Sequence, residues 1–331
     1  MLGLNVPLKQ CIFGLYVGLW VASHLLVYSS QHAGAPAYNA TSVVLLTELT
    51  KLFLAVGLYL AQDGSAKTLL KTALGESQLL IRYAVPALLY CVYNNLVYVN
   101  LSSFDPGTYN VLMQMKIGLT GVLYQCIFSK RLNRNQWLAI LLITLGCMCK
   151  ESRKLTSGSG LTANLFSWIL LLCQMLASVS AGIYNELLLK GKGSNREGVT
   201  TNLQNVFMYL QSVLWNGALL LAKGQLGDAL SVENVSAILT PRLLAIVAIM
   251  SSVGIVTGFF LKHLDSVLKS IAAALEVVFT MILGCLLFGT PLDALSVVAV
   301  LLVGGGVAMY ARPVAPPSGR ELELSMLPKE V

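Results

Sequence analysis

The chain has 331 residues, of which 56% are hydrophobic and 11% are charged, and its mean hydropathy is +0.73. Soluble domains carry roughly 25% charged residues, so this composition excludes a soluble fold and places most of the surface against lipid. The net charge of +7 does not indicate nucleic-acid binding, because the basic residues lie in short loops and form no cluster interleaved with aromatic residues on one polar face.

Ten apolar runs match or approach the roughly 20 residues that a membrane-spanning helix requires. They cover residues 10–29, 42–62, 79–101, 107–129, 135–149, 164–188, 203–223, 240–261, 268–288 and 291–311. The first run exceeds the apolar core of about 7–15 residues in a signal peptide, so we expect a retained helix, although Ala33-Gly34-Ala35 offers small residues after it. The runs predict an all-α integral membrane protein with ten transmembrane helices.

No stretch between the runs is long enough for a soluble domain. We therefore expect one membrane domain over residues 1–312, with two five-helix halves of about 1–150 and 164–312. Residues 313–331 contain prolines and charged residues and are predicted to be a disordered cytosolic tail.

The distribution of basic residues predicts the orientation of the chain in the membrane. If the N-terminus is cytosolic, 15 of the 22 Lys and Arg residues lie on the cytosolic side and five lie on the other side. The remaining two, Lys51 and Lys116, lie within apolar runs. The 15 are Lys9, Lys67, Lys71, Arg82, Lys130, Arg131, Arg134, Lys190, Lys192, Arg196, Lys262, Lys269, Arg312, Arg320 and Lys329. The positive-inside rule therefore favours two cytosolic termini, although the basic cluster at residues 150–154 runs against it.

Three Asn-x-Ser/Thr sequences lie in segments that this topology assigns to the lumen. Asn39 and Asn234 are candidate glycosylation sites, whereas Asn100 lies too close to the predicted membrane. All seven cysteines lie in or beside apolar runs, and Cys147-x-Cys149 has neither a second pair nor a histidine at ligand spacing. We therefore expect no metal site and no cofactor.

Lys116 is the most informative residue within the apolar runs. It lies nine residues into the fourth run, which at 1.5 Å per residue is roughly 14 Å deep. Ionisable groups at such depth usually face a cavity or a partner. One interpretation is a structural ion pair with Glu48 or Glu276, and the other is a midplane site for an anion.

Polar side chains on two other runs share a helix face. Tyr90, Tyr93 and Asn94 follow the spacing of three and four residues in the third run, and Asn205 and Tyr209 do so in the seventh. Asparagine amides and tyrosine rings suit a pyrimidine base and a ribose, but they also stabilise helix packing in membranes. The pattern alone leaves both interpretations open.

Two charged pairs and two glycine stripes indicate structural roles. Glu48 and Lys51 are separated by three residues, and Glu186 and Lys190 by four, so each pair is expected to form an ion pair within one helix. The stripes consist of Gly14 and Gly18 in the first run and of residues 304–306 in the tenth. Such stripes allow close helix approach, including homodimerisation.

Seven short segments resemble the nucleotide-sugar transporters of the CMP-sialic acid, UDP-galactose and UDP-N-acetylglucosamine group. They are Thr47-Glu48-Leu49-Thr50-Lys51, Leu89-Tyr90-Cys91-Val92-Tyr93-Asn94-Asn95, Phe104-Asp105-Pro106-Gly107-Thr108-Tyr109, Gln114-Met115-Lys116-Ile117, Ala181-Gly182-Ile183-Tyr184-Asn185-Glu186, Gln204-Asn205-Val206-Phe207-Met208-Tyr209 and Asp265-Ser266-Val267-Leu268-Lys269-Ser270. The resemblance extends from the second to the ninth run. The chain departs from it at Tyr93, where relatives have Gln, and at Met113 and Met115, where relatives have Tyr and Leu.

The resemblance implies a drug/metabolite-transporter fold with two inverted five-helix repeats in the Golgi membrane. It implies exchange of a cytosolic nucleotide sugar, UDP-galactose or a related UDP-sugar, for a luminal nucleoside monophosphate such as UMP. Lys116 and Lys269 correspond to phosphate-binding lysines. The residues that correspond to nucleoside-contacting or cavity-lining positions are Asn94, Asn205, Tyr209, Tyr90 and Tyr109. The resemblance also implies that Tyr93 belongs to this substrate region.

Several alternatives remain open at this point. CMP-sialic acid and UDP-N-acetylglucosamine are the alternative substrates within the family. A membrane-embedded transferase would require an acidic metal-binding cluster, and no paired Asp motif exists. A channel or a non-transporting scaffold would not require lysines in both the fourth and the ninth helix.

The loop charges lead to a topological prediction. Tags at either terminus should be accessible to antibody after the plasma membrane is selectively permeabilised while the Golgi membrane stays intact. Luminal protection of either tag would contradict the predicted orientation. Glycan addition at Asn39 or Asn234 is compatible with this topology but is not required by it.

Overall fold

The computed structural model describes residues 6–31, 40–104, 106–128, 131–152, 164–191, 198–229, 231–232, 236, 239–289 and 293–312. The described part is helical and contains no β-strand. Its helices are α1 (Pro7–Gln31), α2 (Ala40–Gln62), α3 (Ala66–Gly75), α4 (Ser77–Arg82), α5 (Ala84–Ser103), α6 (Pro106–Met113), α7 (Lys116–Phe128), α8 (Arg134–Ser152), α9 (Leu165–Lys190), α10 (Thr201–Ala222), α11 (Leu226–Ala229), α12 (Pro241–His263), α13 (Ser266–Phe288) and α14 (Ala294–Tyr310).

Seven segments of the described chain are long and apolar enough to cross a membrane. They are Ser42–Gln62, Ser77–Leu101, Thr108–Phe128, Leu165–Lys190, Thr201–Ala222, Leu243–His263 and Ser266–Phe288. Each overlaps a run predicted from the sequence, which confirms the expectation of an all-α membrane protein. The helices α1, α8 and α14 overlap the first, fifth and tenth predicted runs.

Two predicted runs are interrupted in the structure. The third divides at Tyr83 into α4 and α5, because Pro86 has no N–H with which to bond the carbonyl of Arg82. The fourth divides at Gln114 and Met115 into α6 and α7. The sequence predicted that Lys116 lies in the middle of a continuous helix. In the structure it is instead the first residue of α7.

The segment at residues 63–78, which lies between the second and third apolar runs, contains the helix α3. Its N-cap is Ser65, whose side chain accepts a hydrogen bond of 3.3 Å from the backbone N–H of Thr68. Leu70 and Leu74 are exposed on its surface. The helix is short and amphipathic, so a search for long apolar runs does not detect it.

The two halves of the chain interlock. The most extensively packed pairs are α8 with α14, α5 with α9, α2 with α10, and α1 with α12. Each pair combines a helix that ends by residue 152 with a helix that begins after residue 164. The interfaces between these helices are therefore formed by residues from both halves.

Glycines bring α8 and α14 into close contact. A Cβ added at Gly306 would lie 2.7 Å from Ile143 Cγ1 and 2.9 Å from the carbonyl oxygen of Ala139. The other glycines of the two predicted stripes differ, because no described atom lies within 4 Å of a Cβ added at Gly14, Gly18, Gly304 or Gly305. Only Gly306 of these stripes is used for close packing within the described chain.

Glu186 connects the end of α9 to the corner between α12 and α13. Its Oε1 lies 2.7 Å from Lys190 Nζ, and its Oε2 accepts bonds of 2.7 Å from both the N–H and the hydroxyl of Ser266. Lys190 also donates to the carbonyl of Leu264. The pair predicted from the sequence therefore supports the first turn of α13, which carries Lys269.

The α8–α14 contact leads to a stability prediction. Gly306→Ala should lower the thermal unfolding temperature in detergent, because overpacking a tight contact costs about 1–3 kcal/mol. Gly305→Ala is the matched control, since its Cβ would meet no described atom within 4 Å. Equal unfolding temperatures for the two variants would contradict the close packing of α8 and α14.

Candidate functional site

Lys269 lies in the first turn of α13, where its ammonium faces the interior. Asp265 caps this helix by accepting a 2.8 Å bond from the N–H of Leu268. Lys269 Nζ donates to the hydroxyl of Tyr90 at 3.3 Å and lies 5.7 Å from the centre of the same ring. A Cβ at Gly182 would lie 3.5 Å from Nζ, so α9 approaches the ammonium closely without covering it. The ammonium of Lys269, which the loop-charge count places on the cytosolic side, therefore lies among α5, α9 and α13 near the start of a span.

Lys116 begins the neighbouring helix α7, and its side chain is partly buried. The hydroxyl of Thr120 donates to the carbonyl of Lys116 at 2.7 Å, and the hydroxyl of Ser270 donates to Thr120 Oγ1 at 3.2 Å. Ser270 follows Lys269 directly. The contact between α7 and α13 therefore lies one turn after Lys116 and one residue after Lys269.

The described carboxylates that could neutralise Lys116 have other partners. Lys51 Nζ lies 2.6 Å from Glu48 Oε1, and His24 Nδ1 lies 2.9 Å from Glu276 Oε1. Within the described residues, neither Lys116 nor Lys269 has a carboxylate oxygen within 4.0 Å. The structure therefore does not form the ion pair that was one interpretation of Lys116.

The amides on α5 differ in their availability. Asn95 is engaged at both ends, because its Nδ2 donates to the carbonyl of Cys91 at 2.9 Å and its Oδ1 accepts from Lys223 at 2.9 Å. Asn94 is partly buried, and its side chain forms no hydrogen bond with the described residues. Of this pair, Asn94 is thus the amide that can bind a ligand.

Asn205 and Tyr209 lie one turn apart on α10, and both are buried. The Nδ2 atom of Asn205 is buried without a hydrogen-bond partner among the described residues. Lys51 Nζ lies 5.6 Å from the centre of the Tyr209 ring, and Tyr90 packs against the apolar cluster that contains Tyr209. Tyr90 therefore connects the Lys269 region with the α10 residues.

Tyr109 is held by a hydrogen-bond network that the sequence did not predict. Its hydroxyl accepts a 2.7 Å bond from Gln174 Nε2, and Gln174 Oε1 accepts a 2.7 Å bond from Asn100. Tyr93 packs against the same apolar cluster as Tyr109. The sequence feature that could have indicated this network is Gln174, a polar residue inside the sixth apolar run.

The network also explains why Asn100 is unsuitable for glycosylation, since this residue is fully buried and hydrogen-bonded. The other two candidate positions, Asn39 and Asn234, lie outside the described residues. Three further residues in this part of the structure were not singled out from the sequence. They are His24 beside Glu276, and Gly254 and Gly258 beside Lys51, Tyr209 and Asn205.

These candidate residues have the chemistry to bind an anion that carries an aromatic group. Two ammonium groups without carboxylate partners can bind phosphate oxygens through charge-assisted hydrogen bonds. Amides and tyrosines nearby can pair with and stack on a base. No group of three or more metal-ligating side chains occurs among the described residues.

Comparison with known proteins identifies the family. The sequence profile described as nucleotide-sugar transporter matches residues 6–311. The chain is 37% identical to the UDP-galactose transporter senju of Drosophila melanogaster, covering 96% of this chain and 89% of that protein. It is 28% identical to the probable UDP-sugar transporter protein SLC35A4 of Xenopus tropicalis, covering 92% and 93%, and 26% identical to CMP-sialic acid transporter 5 of Oryza sativa subsp. japonica, covering 88% and 73%.

One solved crystal structure shares the fold, with a TM-score of 0.66 at 14% sequence identity, and the match covers 92% of this chain and 96% of that chain. This likeness concerns the fold alone. The profile match and the 37% identical relative both cover nearly the whole chain. The protein therefore belongs to the nucleotide-sugar transporter family, whose members carry nucleotide sugars across membranes.

Proposed function

We propose that this protein is an antiporter that carries UDP-galactose, or a related UDP-sugar, from the cytosol into the Golgi lumen in exchange for UMP. The observation that carries the proposal is that Lys116 and Lys269 have no carboxylate partner among the described residues. The name of the 37% identical relative, a UDP-galactose transporter, supports the choice of sugar.

In this proposal Lys116 and Lys269 bind the phosphates. Lys116 is the first residue of α7, and Lys269 lies in the first turn of α13. These two helices meet at the Ser270–Thr120 hydrogen bond. A diphosphate or a monophosphate bound there would offset both ammonium charges. Because UDP-sugar and UMP both carry phosphate on a uridine, one site would serve the two directions of exchange.

The nucleoside is proposed to bind beside Tyr90, Asn94, Asn205 and Tyr209. Asn94 and the Nδ2 atom of Asn205 have no hydrogen-bond partners among the described residues. A pyrimidine carbonyl or a ribose hydroxyl would satisfy these amides, and the tyrosine rings would supply stacking surfaces.

The proposal includes ten transmembrane helices in two inverted five-helix repeats, with both termini in the cytosol. If α1, α8 and α14 also cross the membrane, they and the seven apolar spans make ten crossings. The halves at residues 1–150 and 164–312 then contain five crossings each, and an odd number inverts the second half. Homodimerisation through the open glycines of α1 and α14 is part of the same proposal.

A second candidate substrate is CMP-sialic acid, because relatives named as CMP-sialic acid transporters also match most of the chain. The two candidates differ in their base, uracil or cytosine. UDP-N-acetylglucosamine is a third candidate and differs from UDP-galactose only in the sugar. Competition by each nucleotide sugar in proteoliposomes preloaded with UMP or CMP would decide among them.

The departure at Tyr93 leads to a prediction about the base. A tyrosine cannot present the paired donor and acceptor of the Gln found in relatives. We therefore expect Tyr93→Gln to change the ratio of UMP to CMP affinity, measured as inhibition of labelled UDP-sugar uptake. Tyr93→Phe is the control, since it keeps the ring and its packing. Unchanged inhibition by both nucleotides in the Gln variant would remove Tyr93 from base recognition.

Lys116→Ala tests the phosphate assignment. The variant should fold and reach the Golgi but neither exchange UMP nor bind it measurably in purified form. Charge-assisted hydrogen bonds contribute roughly 1.5–3 kcal/mol, so affinity should fall about 10- to 100-fold or more. Lys116→Arg should restore exchange poorly, because a planar guanidinium places its charge and donors differently from a compact ammonium.

The contrary result would come from a structural lysine. In that case Lys116→Ala would lower the thermal unfolding temperature, and additional neutralisation of Glu48 or Glu276 would restore exchange. Such rescue would exclude Lys116 as a phosphate ligand. Transport is distinguished from enzymatic conversion by recovering chemically unchanged label that excess UMP releases from the vesicles.

A further inference from the structure

Two glycines on α12 face two buried residues of α10, Asn205 and Tyr209. A Cβ at Gly258 would contact the Asn205 amide, with Cγ at 2.8 Å and Nδ2 at 2.9 Å, and a Cβ at Gly254 would lie 2.9 Å from the Tyr209 hydroxyl. Within each helix the two residues are four apart. The pairs run in opposite order along the helices, so they form two successive rungs between antiparallel helices.

Gly254 also accommodates the stem of Lys51 from α2. A Cβ at this position would lie 2.8 Å from both Cδ and Cε of that lysine. Lys51 thereby reaches the ring of Tyr209 while its ammonium stays 2.6 Å from Glu48. The helices α2, α10 and α12 thus meet at Gly254.

These contacts differ from ordinary glycine packing between helices. The three atoms nearest a Cβ at Gly258 all belong to the Asn205 amide, whereas those nearest a Cβ at Gly306 include the backbone of Ala139 and Ile143. Gly306 therefore lets two backbones approach. Gly258 makes room for one polar group.

The Asn205 amide gives an independent indication of a ligand. Asn205 is only 3% exposed, and its Nδ2 atom has no partner in the described part of the chain. An unpaired amide donor in a membrane interior is costly, so it requires an acceptor from outside the described residues. A nucleotide oxygen is such an acceptor.

We propose that Gly254 and Gly258 form a backbone seat that fixes the orientation of Tyr209 and Asn205, and that Gly258 is a positioning residue for nucleotide binding. This inference rests on the proposed function. Any side chain at position 258 displaces the Asn205 amide and removes its hydrogen bond to the nucleotide. The small volume at this position therefore contributes to substrate recognition although Gly258 has no functional group.

The test compares Gly258→Ala with Gly217→Ala, a control on α10 whose Cβ would meet no described atom within 4 Å. UMP binding is measured by calorimetry on the purified protein, and UMP exchange is measured in proteoliposomes. Gly258→Ala should weaken UMP binding about tenfold or more, as expected for loss of one buried hydrogen bond. The KM for UMP should rise, while the maximal exchange rate should change little. Gly217→Ala should resemble the wild type in both assays.

A double-mutant cycle separates positioning from general packing. Asn205→Ala alone should weaken UMP binding, and adding Gly258→Ala should cause no further loss, because the displaced group is already absent. If Gly258→Ala fails to fold, Asn205→Ala should restore folding. Wild-type UMP affinity in Gly258→Ala, an equal further loss in the Asn205→Ala background, or misfolding of both variants would overturn the proposal.

The wild-type protein distinguishes this inference from the proposed function. Failure of the wild type to bind or exchange UMP and any nucleotide sugar would refute the proposed function, and the seat would then lack a nucleotide to position. Normal binding by the wild type together with normal binding by Gly258→Ala would refute the seat alone.

Discussion

A lysine ammonium inside a membrane-spanning helix needs a compensating group, and this requirement organises the site. A lysine at the centre of a helix costs about 2.5–3.5 kcal/mol on insertion scales. Lys51 and Lys190 meet the requirement with Glu48 and Glu186 on their own helices. Lys116 and Lys269 have no such partner among the described residues, so their compensation must come from elsewhere. In the proposed function, a phosphate that enters and leaves with the substrate provides this compensation without abolishing transport.

The surrounding structure holds these two lysines near the contact of α7 and α13. Lys269 is fixed at the start of α13 by Asp265, which caps the helix, and by the bonds of Glu186 to Ser266. Lys116 starts α7 because the fourth span is interrupted. A fully helical fourth span would instead have placed this lysine within a continuous hydrogen-bond ladder. Glu186, the carboxylate paired with Lys190, thus serves Lys269 indirectly, since it stabilises the start of α13.

Long apolar runs and short spacings within one helix were predictable from the sequence. The runs marked where the helices lie, and the separation of three or four residues placed Lys51 beside Glu48 and Lys190 beside Glu186. The interruption at Tyr83 was less visible, because hydropathy averages over the local effect of Pro86. Contacts between distant helices were not predictable, since periodicity within a run does not show which helix it meets. The Asn100–Gln174–Tyr109 network and the α12 glycines both depend on such contacts.

The same electrostatic constraint accounts for exchange in the proposed mechanism. When UDP-sugar or UMP is bound, its phosphate offsets most of the charge of the two ammonium groups. The loaded transporter can therefore rearrange its helices without exposing two uncompensated charges. The empty transporter would have to rearrange its helices around two uncompensated ammonium groups, and each would lose hydration at the closing side. Rearrangement of the empty form is therefore slow compared with that of either loaded form. Because the two ligands share uridine and phosphate, each resets the transporter for the other, and obligatory exchange follows without a separate gating device.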